Sequence, residues 1–192
     1  MNKPLTLVSL LLLLGGCATT PQTVYLYPDV AVTGSDVGKG KTVALTVTDA
    51  RPGKIIGYRT TRLDKDSVIV TDSDIAKVTQ ERIYEGLKKY GFNVNVVSGD
   101  APVLLKVEVE ALEYSAPKGS WTGGIRTFAK LKASVKNGLT TYENSYEVTH
   151  NDPVFVPPSQ GKNEELINKA LAEVLQNLLE DQKLIALLAK QA

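Results

Sequence analysis

The chain has 192 residues, and its 22 Lys and Arg against 21 Asp and Glu give a formal net charge of +1. This balance provides no overall positive surface for a polyanion, so nucleic acid is not expected as a partner. The length predicts one domain, which can form a hydrophobic core without disulfides or metals. One Cys and one His exclude an intrachain disulfide and a metal site built from several such ligands.

The first segment of the chain has the layout of a secretion signal. Lys3 gives it a positive start, and residues 4–14 form an apolar run. That run is too short to cross a bilayer as a helix, which needs about 20 residues. Gly15 and Gly16 then supply the small residues that a processing site requires. Residues 1–16 are therefore interpreted as a signal peptide.

The single cysteine stands directly behind this leader. Leu14, Gly15, Gly16 and Cys17 together match the lipobox of bacterial lipoproteins, in which the cysteine thiol accepts a diacylglyceryl group. The motif predicts cleavage between Gly16 and Cys17 and acylation of the new amino terminus. Several acyl chains on one residue hold a protein stably on a membrane. The alternative, an incidental cysteine in a discarded leader, does not explain why leader, small residues and thiol are in register.

The lipobox also bears on localisation and cofactors. Position 18 is Ala, whereas an Asp there commonly retains lipoproteins of the Lol sorting pathway in the inner membrane. By resemblance to those proteins, the chain is expected in the outer membrane, lipid-anchored and facing the periplasm. The covalent lipid on Cys17 is the one non-protein group expected, and neither a further cofactor nor a metal ion is predicted.

Turn-forming and small residues predominate between the cysteine and position 41. Residues 17–41 are therefore predicted to be the lipidated N-terminus and a tether, and residues 42–192 a single periplasmic domain. The domain opens with an alternating pattern typical of a strand at residues 42–51. Two shorter strand candidates follow at residues 54–60 and 67–70.

A helix is predicted after these strands. Thr71, Asp72 and Ser73 offer side-chain oxygens for the free amide groups of its first turn, and Gly91 is suited to close it. Its apolar face is formed by Ile75, Val78, Ile83, Leu87 and Tyr90.

From residue 102 the apolar period changes to two, which predicts three long strands with one covered face. The Asn137-Gly138 pair predicts a tight hairpin between the second and third strands. The covered face of the first strand is expected to consist of Val103, Leu105, Val107, Val109 and Ala111. That of the second strand is expected to consist of Thr127, Ala129, Leu131, Ala133 and Val135.

A basic row lies on the other face of the second strand, and it consists of Arg126, Lys130, Lys132 and Lys136. Such a row is compatible with an anion-binding surface. Glutamates stand on the neighbouring strands, however, so cross-strand charge pairs are available. The row is therefore interpreted as a solvated charged face.

The C-terminal part predicts two amphipathic helices. Asn163 is expected to cap the first, whose apolar stripe runs from Leu166 to Leu179. The second is expected to begin after Asp181. The fold class is therefore predicted to be α+β, a two-layer sandwich made of a mainly antiparallel sheet with two amphipathic helices on one face.

No catalytic set is recognised in the sequence, so an enzyme is not expected. The one histidine, His150, ends a polar strand and has no Cys or second His as a partner. An acidic stretch lacks the glycine and the closing Glu of a calcium-binding EF-hand loop, and it consists of Asp64, Asp66, Asp72 and Asp74.

The loop between the first two long strands holds the one tryptophan. Trp121 is surrounded by small residues, and Lys118 and Arg126 stand near it in the sequence. Aromatic residues on loops often anchor partners, which makes these three residues candidates for a partner contact. The alternative is that Trp121 folds back over the edge of the core, and this alternative is slightly favoured.

Several segments, taken in order, resemble the YajG family of bacterial lipoproteins. They are the lipobox, DAR at residues 49–51, KKYGFNV, VLLKVEVEALEY, the Asn137-Gly138 hairpin and the terminal helix with its apolar tail. The loop around Trp121 departs from that pattern. The resemblance implies a lipoprotein of the Gram-negative envelope with no assigned biochemical role and no catalytic residues.

Two functional hypotheses follow. The first is a non-enzymatic, outer-membrane-anchored accessory module that binds another envelope component, most simply a protein. The second is a carrier of lipid or another apolar ligand, or an auxiliary lipoprotein of a transport system, which predicts a cavity between sheet and helices. A cell-wall hydrolase would require a pair of carboxylates in a cleft and is disfavoured.

Overall fold

The computed structural model describes residues 20–59, 67–96, 102–116, 124–154 and 158–190. Within these residues the fold is mixed α/β, with one eight-stranded sheet and three helices. The strands are β1 Gln22–Val24, β2 Thr42–Asp49, β3 Ile55–Tyr58, β4 Val68–Thr71, β5 Asn93–Val96, β6 Val103–Ser115, β7 Gly124–Asn137 and β8 Thr140–Pro153. The helices are α1 Ile75–Lys89, α2 Gln160–Leu179 and α3 Gln182–Ala189.

Strand β6 is the centre of the sheet. On one side it pairs with β7, which pairs with β8, and both pairings are antiparallel. On its other side it pairs in parallel with β2 along its first half and with β3 at its end. Strands β5, β4 and β1 extend the sheet from β2 and β3.

The sheet combines antiparallel and parallel pairings, whereas the sequence predicts a mainly antiparallel sheet. The three long strands are antiparallel, as the hairpin signal at Gly138 predicts, and this glycine has the positive φ of 59° that a tight turn needs. Most short strands pair in parallel instead. Parallel neighbours need a long connection, and α1 forms part of the one between the parallel neighbours β2 and β5.

A bulge in β6 switches the covered face from odd-numbered residues to even-numbered ones. The register against β7 shifts between Val109 and Ala111, so that two residues of β6 lie opposite a single step of β7. Beyond the shift, Leu112 and Tyr114 are buried, whereas Ala111 is half-buried. The prediction that Ala111 shares the covered face is therefore wrong.

The core is one cluster formed by the sheet and all three helices. The predicted face of β7 is confirmed, because Thr127, Ala129, Leu131, Ala133 and Val135 are all buried. The apolar stripe of α2 is also buried throughout. Helices α1 and α2 approach closely at Gly86, where an added Cβ would lie 2.5 Å from Cδ1 of Leu179.

The helix starts differ from the sequence prediction at two of three places. Asp74 caps α1 by accepting a hydrogen bond from the Lys77 amide, instead of Thr71, Asp72 or Ser73. Ser159 caps α2 four residues before Asn163, which is fully buried. The start of α3 is confirmed, since Asp181 is its N-cap.

Much of the segment predicted as a tether is packed against the domain. Val24 and Leu26 are buried in the core, and β1 pairs in parallel with β4. Further along, the amides of Ser35 and Gly38 donate to the carbonyls of Lys89 and Tyr90 at the end of α1. Parts of this segment between Gln22 and Gly38 therefore contact the domain, well before residue 42.

Candidate functional site

The residues singled out from the sequence are only partly within the described chain. Gly16, Cys17, Lys118 and Trp121 lie outside the described residues. Arg126 lies near the start of β7, is exposed, and holds its guanidinium carbon 5.2 Å from the centre of the Phe128 ring. This stacking gives the guanidinium a defined position on the sheet surface.

A buried polar chain attaches the N-terminal segment to the domain. Asn163 of α2 accepts a hydrogen bond of 2.7 Å from the Tyr114 hydroxyl and donates one of 2.8 Å to the side chain of Gln22. Burial raises the pKa of Tyr114, so its hydroxyl stays a donor at all physiological pH values. Asn163, which the sequence predicts to be a helix cap, thus joins β6, α2 and β1 by hydrogen bonds.

Two tyrosines continue this attachment along the surface of α2. The Tyr25 amide donates to Glu164 at 2.8 Å, and the Tyr27 hydroxyl donates to the same carboxylate at 2.6 Å. The Tyr27 amide donates to Asn168, whose side chain donates back to the Tyr25 carbonyl. Tyr25 is 60% exposed and Tyr27 is 55% exposed. The Tyr27 ring is therefore held through its hydroxyl and Tyr25 through its backbone, while much of both rings stays in solvent.

The held ring of Tyr27 lines one side of a groove, which we call the α2 groove. Its volume is about 610 Å³, and it runs along the outer side of α2. The lining residues are Tyr27, Asp29, Glu165, Asn168, Lys169, Ala172, Glu173, Gln176 and Asn177. Three carboxylates and one ammonium group among them give the groove a formal charge of −2. The α2 groove is thus acidic, with an aromatic wall and a small side chain, Ala172, in its lining.

The far side of the α2 groove is tied to the edge strand β8. Lys169 lies 3.8 Å from Asp152, and Nε2 of His150 lies 2.9 Å from Glu173, although not in hydrogen-bonding geometry. Within the described ranges no three side chains of His, Cys, Asp and Glu are grouped as a metal site would require. His150 therefore has a carboxylate neighbour on α2, which the sequence does not indicate.

A second polar cluster joins β8 to the junction of α2 and α3. Oδ2 of Asp181 accepts hydrogen bonds from the Tyr142 hydroxyl, the Tyr146 hydroxyl and the Asn144 amide, while Oδ1 caps α3. Burial alone would raise the pKa of Asp181, but these hydrogen bonds outweigh it and lower the pKa to about 2. The Asp181 carboxylate therefore has a structural role, because it connects β8 to the start of α3.

The basic row on the sheet forms charge pairs. Lys130 lies 3.1 Å from Glu110, and Lys132 lies 3.5 Å from Glu143. On β6, Lys106 donates a hydrogen bond to Glu108 and thereby lowers the pKa of that carboxyl. The interpretation of this face as solvated and charge-paired is confirmed for these lysines.

The two ends of the sheet differ in what they carry. At one end Tyr58 is beside Ser115, and Gly124 is beside Pro153. The Arg59 guanidinium donates to the carbonyl of Thr20 at this end. We call it the Thr20 end. The opposite end, with Gly138, is called the hairpin end, and lysines of the neighbouring elements gather there, namely Lys39, Lys41, Lys88, Lys89, Lys136 and Lys190.

Comparison with curated proteins finds a partial similarity. Flagellar L-ring protein of Brucella canis is 33% identical over 82 residues, and those of Brucella suis and Brucella abortus match equally. The matched region covers 41% of this chain and 34% of the relative. The chain thus matches about a third of the length of these relatives.

Solved structures share the fold at low sequence identity. Protein XCC0632 from Xanthomonas campestris is 15% identical, covers 87% of this chain with 95% of its own, and superposes with a TM-score of 0.57. A second structure, described as an uncharacterized protein, is 10% identical, with coverages of 84% and 98% and a TM-score of 0.50. These likenesses concern the fold alone.

The family assignment rests on a match across most of the chain. Of the helices in the described ranges, none combines the length and the apolar character that a membrane crossing requires. A family model described as "Uncharacterized lipoprotein" matches residues 28–189, in agreement with the resemblance to the YajG lipoproteins. The chain belongs to this family of uncharacterized lipoproteins.

Proposed function

We propose that this lipoprotein is anchored in the outer membrane by acyl groups on Cys17 and serves as a non-enzymatic binding module of the cell envelope. Its domain, with helices against one face of the sheet, presents the α2 groove to a basic segment of another envelope protein. The observation that carries the binding role is the exposed ring of Tyr27, which lines an acidic groove and whose hydroxyl donates to Glu164.

The anchoring part of the proposal is supported by family membership and by the lipobox. The family is one of lipoproteins, and Leu14, Gly15, Gly16 and Cys17 stand where lipidation requires them. Ala18 behind the cysteine favours the outer membrane. A lipid anchor of several acyl chains attaches a protein stably without a membrane-spanning helix.

The binding part is supported by the chemistry of the α2 groove. Tyrosine is a common anchor of interfaces because its ring offers a large contact area with few rotatable bonds. The hydrogen bonds from Tyr27 to Glu164 and Asn168 fix the ring before any partner arrives, which lowers the entropy cost of binding. Asp29 and Glu173 complement a partner with Lys or Arg side chains, whereas Glu165 already pairs with Lys162 at 2.6 Å.

The carrier hypothesis has less support from the described chain. The α2 groove opens to solvent on the outer side of α2, whereas an apolar-ligand carrier calls for a cavity between sheet and helices. The apolar stripe of α2, from Leu166 to Leu179, belongs to the core cluster shared with the sheet. We therefore place the binding role first.

The anchoring is tested by Cys17→Ala in the full-length precursor. The variant is expected to stay uncleaved and to fractionate with the inner membrane, because neither acylation nor processing can proceed without the thiol. Cys17→Ser serves as a second variant that keeps the size of the side chain. Recovery of a processed, soluble periplasmic form from either variant would contradict the proposed anchoring.

The binding role is tested by filling the α2 groove. Ala172→Arg places a long cationic side chain among the groove residues and is expected to abolish the complexes that crosslinking captures from intact cells. The matched control is Ser145→Arg, which puts the same side chain on an exposed position of β8. Equal loss of complexes in both variants, or loss in neither, would contradict a role for the groove.

A further inference from the structure

The chain leaves the domain toward Cys17 from a fixed point. The Arg59 guanidinium donates a hydrogen bond to the carbonyl of Thr20, and β1 begins two residues later at Gln22. Gln22 is paired with Ile69 of β4 and accepts a hydrogen bond from the buried Asn163. The exit point is therefore attached both to the sheet and to α2, and it lies at the Thr20 end.

The connection between this point and the lipidated cysteine is short. Only Ala18 and Thr19 stand between Cys17 and Thr20. Three residue steps span at most about 11 Å, even in a fully extended chain. The strands β7 and β8 have 14 residues each, which corresponds to a length of roughly 45 Å. The connection is thus several times shorter than the domain that it holds.

We propose that the Thr20 end of the domain faces the lipid headgroups and that the long strands stand away from the membrane. This inference rests on the proposed lipidation of Cys17. With the cysteine at the bilayer surface, the short connection keeps Thr20 within about 11 Å of that surface. The occupant of this face is the phospholipid surface itself.

The side chains at the Thr20 end suit such a surface. Arg126 is exposed there, and it forms no salt bridge among the described residues. A guanidinium binds phosphate through several hydrogen bonds, and tyrosine rings such as that of Tyr58 favour the headgroup region. Of the carboxylates nearby, Asp152 is paired with Lys169, while Glu113 is exposed.

The same orientation decides what faces the periplasm. The lysine-rich hairpin end, with the fully exposed Leu139, is placed roughly 45 Å from the membrane. The α2 groove runs along the side of the standing domain and stays open to a protein partner. A domain lying flat on the bilayer would instead bring β8 or the helices against the lipids.

Positions along β8 can be used to measure distance from the membrane and so to test this orientation. Thr141, Ser145 and Asn151 are all exposed and project from the same face, and the mature chain has no cysteine other than Cys17. Thr141 and Asn151 are ten residues apart, which corresponds to about 34 Å along a strand. A cysteine introduced at each position can be labelled with an environment-sensitive fluorophore without touching the acylated Cys17.

The experiment uses the full-length lipidated protein, extracted from membranes and reconstituted in vesicles of phosphatidylethanolamine and phosphatidylglycerol. A fraction of the lipids carries a nitroxide quencher on the headgroup. The proposal predicts severalfold stronger quenching at Asn151→Cys than at Thr141→Cys, with Ser145→Cys between them. Equal quenching at the three positions, or none at any, in vesicle-bound protein would overturn the orientation.

Two controls separate this inference from the anchoring on which it rests. Flotation with the vesicles reports the anchor, and protein that fails to float contradicts the lipidation of Cys17 and with it the orientation. A flexible insertion of Gly and Ser residues between Ala18 and Thr19 lengthens the connection. This variant is expected to float normally while the gradient of quenching along β8 collapses, and an unchanged gradient would show that the short connection does not set the orientation.

Discussion

The hydroxyl of Tyr146 donates a hydrogen bond of 2.6 Å to Oδ2 of Asp181, and this contact joins the edge strand β8 to the junction of α2 and α3. The same oxygen accepts from Tyr142 at 2.9 Å, and Oδ1 accepts from the amides of Lys183 and Leu184. One carboxylate thus holds a strand and a helix start together. Its removal affects both.

Asp181→Ala is expected to lower the free energy of unfolding by about 1–3 kcal/mol, because a helix cap is lost and two partly buried tyrosine hydroxyls lose their acceptor. Urea denaturation followed by circular dichroism measures this change. The matched control is Glu180→Gln, one residue earlier, whose carboxylate is exposed and, among the described residues, accepts only from Gln176. Similar losses in both variants would contradict a special role for Asp181.

The pKa of Asp181 makes stability depend on pH in the acid range. Hydrogen bonds hold this pKa at about 2 in the folded state, below its usual value of 3.8. A carboxyl with a depressed folded pKa stabilises fully above the unfolded pKa, and this contribution is lost as pH falls through the folded pKa. Allowing for screening by solvent, the free energy of unfolding should therefore fall by about 1 kcal/mol between pH 5 and pH 2 on account of this group. Asp181→Ala should show a correspondingly flatter acid limb in urea denaturation.

Gly57 is predicted to tolerate no side chain. It lies in β3 at an irregular step against β4, and a Cβ there would overlap the carbonyl oxygen of Tyr114 in β6. Gly57→Ala is expected to cost about 1–3 kcal/mol in the free energy of unfolding, because the backbone of a central strand must shift. Gly53→Ala serves as the control, since nothing lies within 4 Å of its added Cβ. Thermal unfolding of both variants decides the matter, and equal melting temperatures would contradict the close approach of β3 and β6.

Thr127 and Thr71 form a matched pair of buried threonines. Oγ1 of Thr127 has no hydrogen-bond partner in the part of the chain that the structure describes, whereas Oγ1 of Thr71 accepts from the Ser73 amide. Thr127→Val removes an unpaired polar group and is expected to be neutral or to stabilise by up to about 1 kcal/mol. Thr71→Val leaves an amide without its acceptor and should destabilise by about 1–3 kcal/mol. Opposite signs in chemical denaturation are the expected result, and destabilisation of both to the same extent would contradict it.

Local signals in the sequence predict the local features of the fold. The alternation in β7 gives its covered face correctly, Gly91 ends the first helix with a positive φ of 83°, and Asp181 begins the last helix. Each of these depends on residues that are close together in the chain. The conformational preference of a glycine or the reach of a capping carboxylate is a property of a few neighbouring positions.

Features set by distant partners could not be predicted in the same way. The N-terminal segment has the composition of a tether, yet Tyr25 and Tyr27 bind Glu164 and Asn168, which lie 139 and 141 positions away. Asn163 has the side chain of a typical helix cap, but it is buried in the core, where it accepts a hydrogen bond from the Tyr114 hydroxyl. The α2 groove combines residues from the N-terminal and C-terminal parts of the sequence, so no contiguous motif predicts it.

Photocrosslinking in intact cells from position 177 tests the proposed binding role most directly. Asn177 lines the α2 groove and is exposed, so a photoreactive residue there can replace it without disturbing the core. The account predicts a discrete adduct with one envelope protein that disappears when Ala172→Arg is added, and no such adduct from the same photoreactive residue at Ser145. An adduct that persists with the groove filled, or none at position 177, would contradict the assignment of the α2 groove as the partner site.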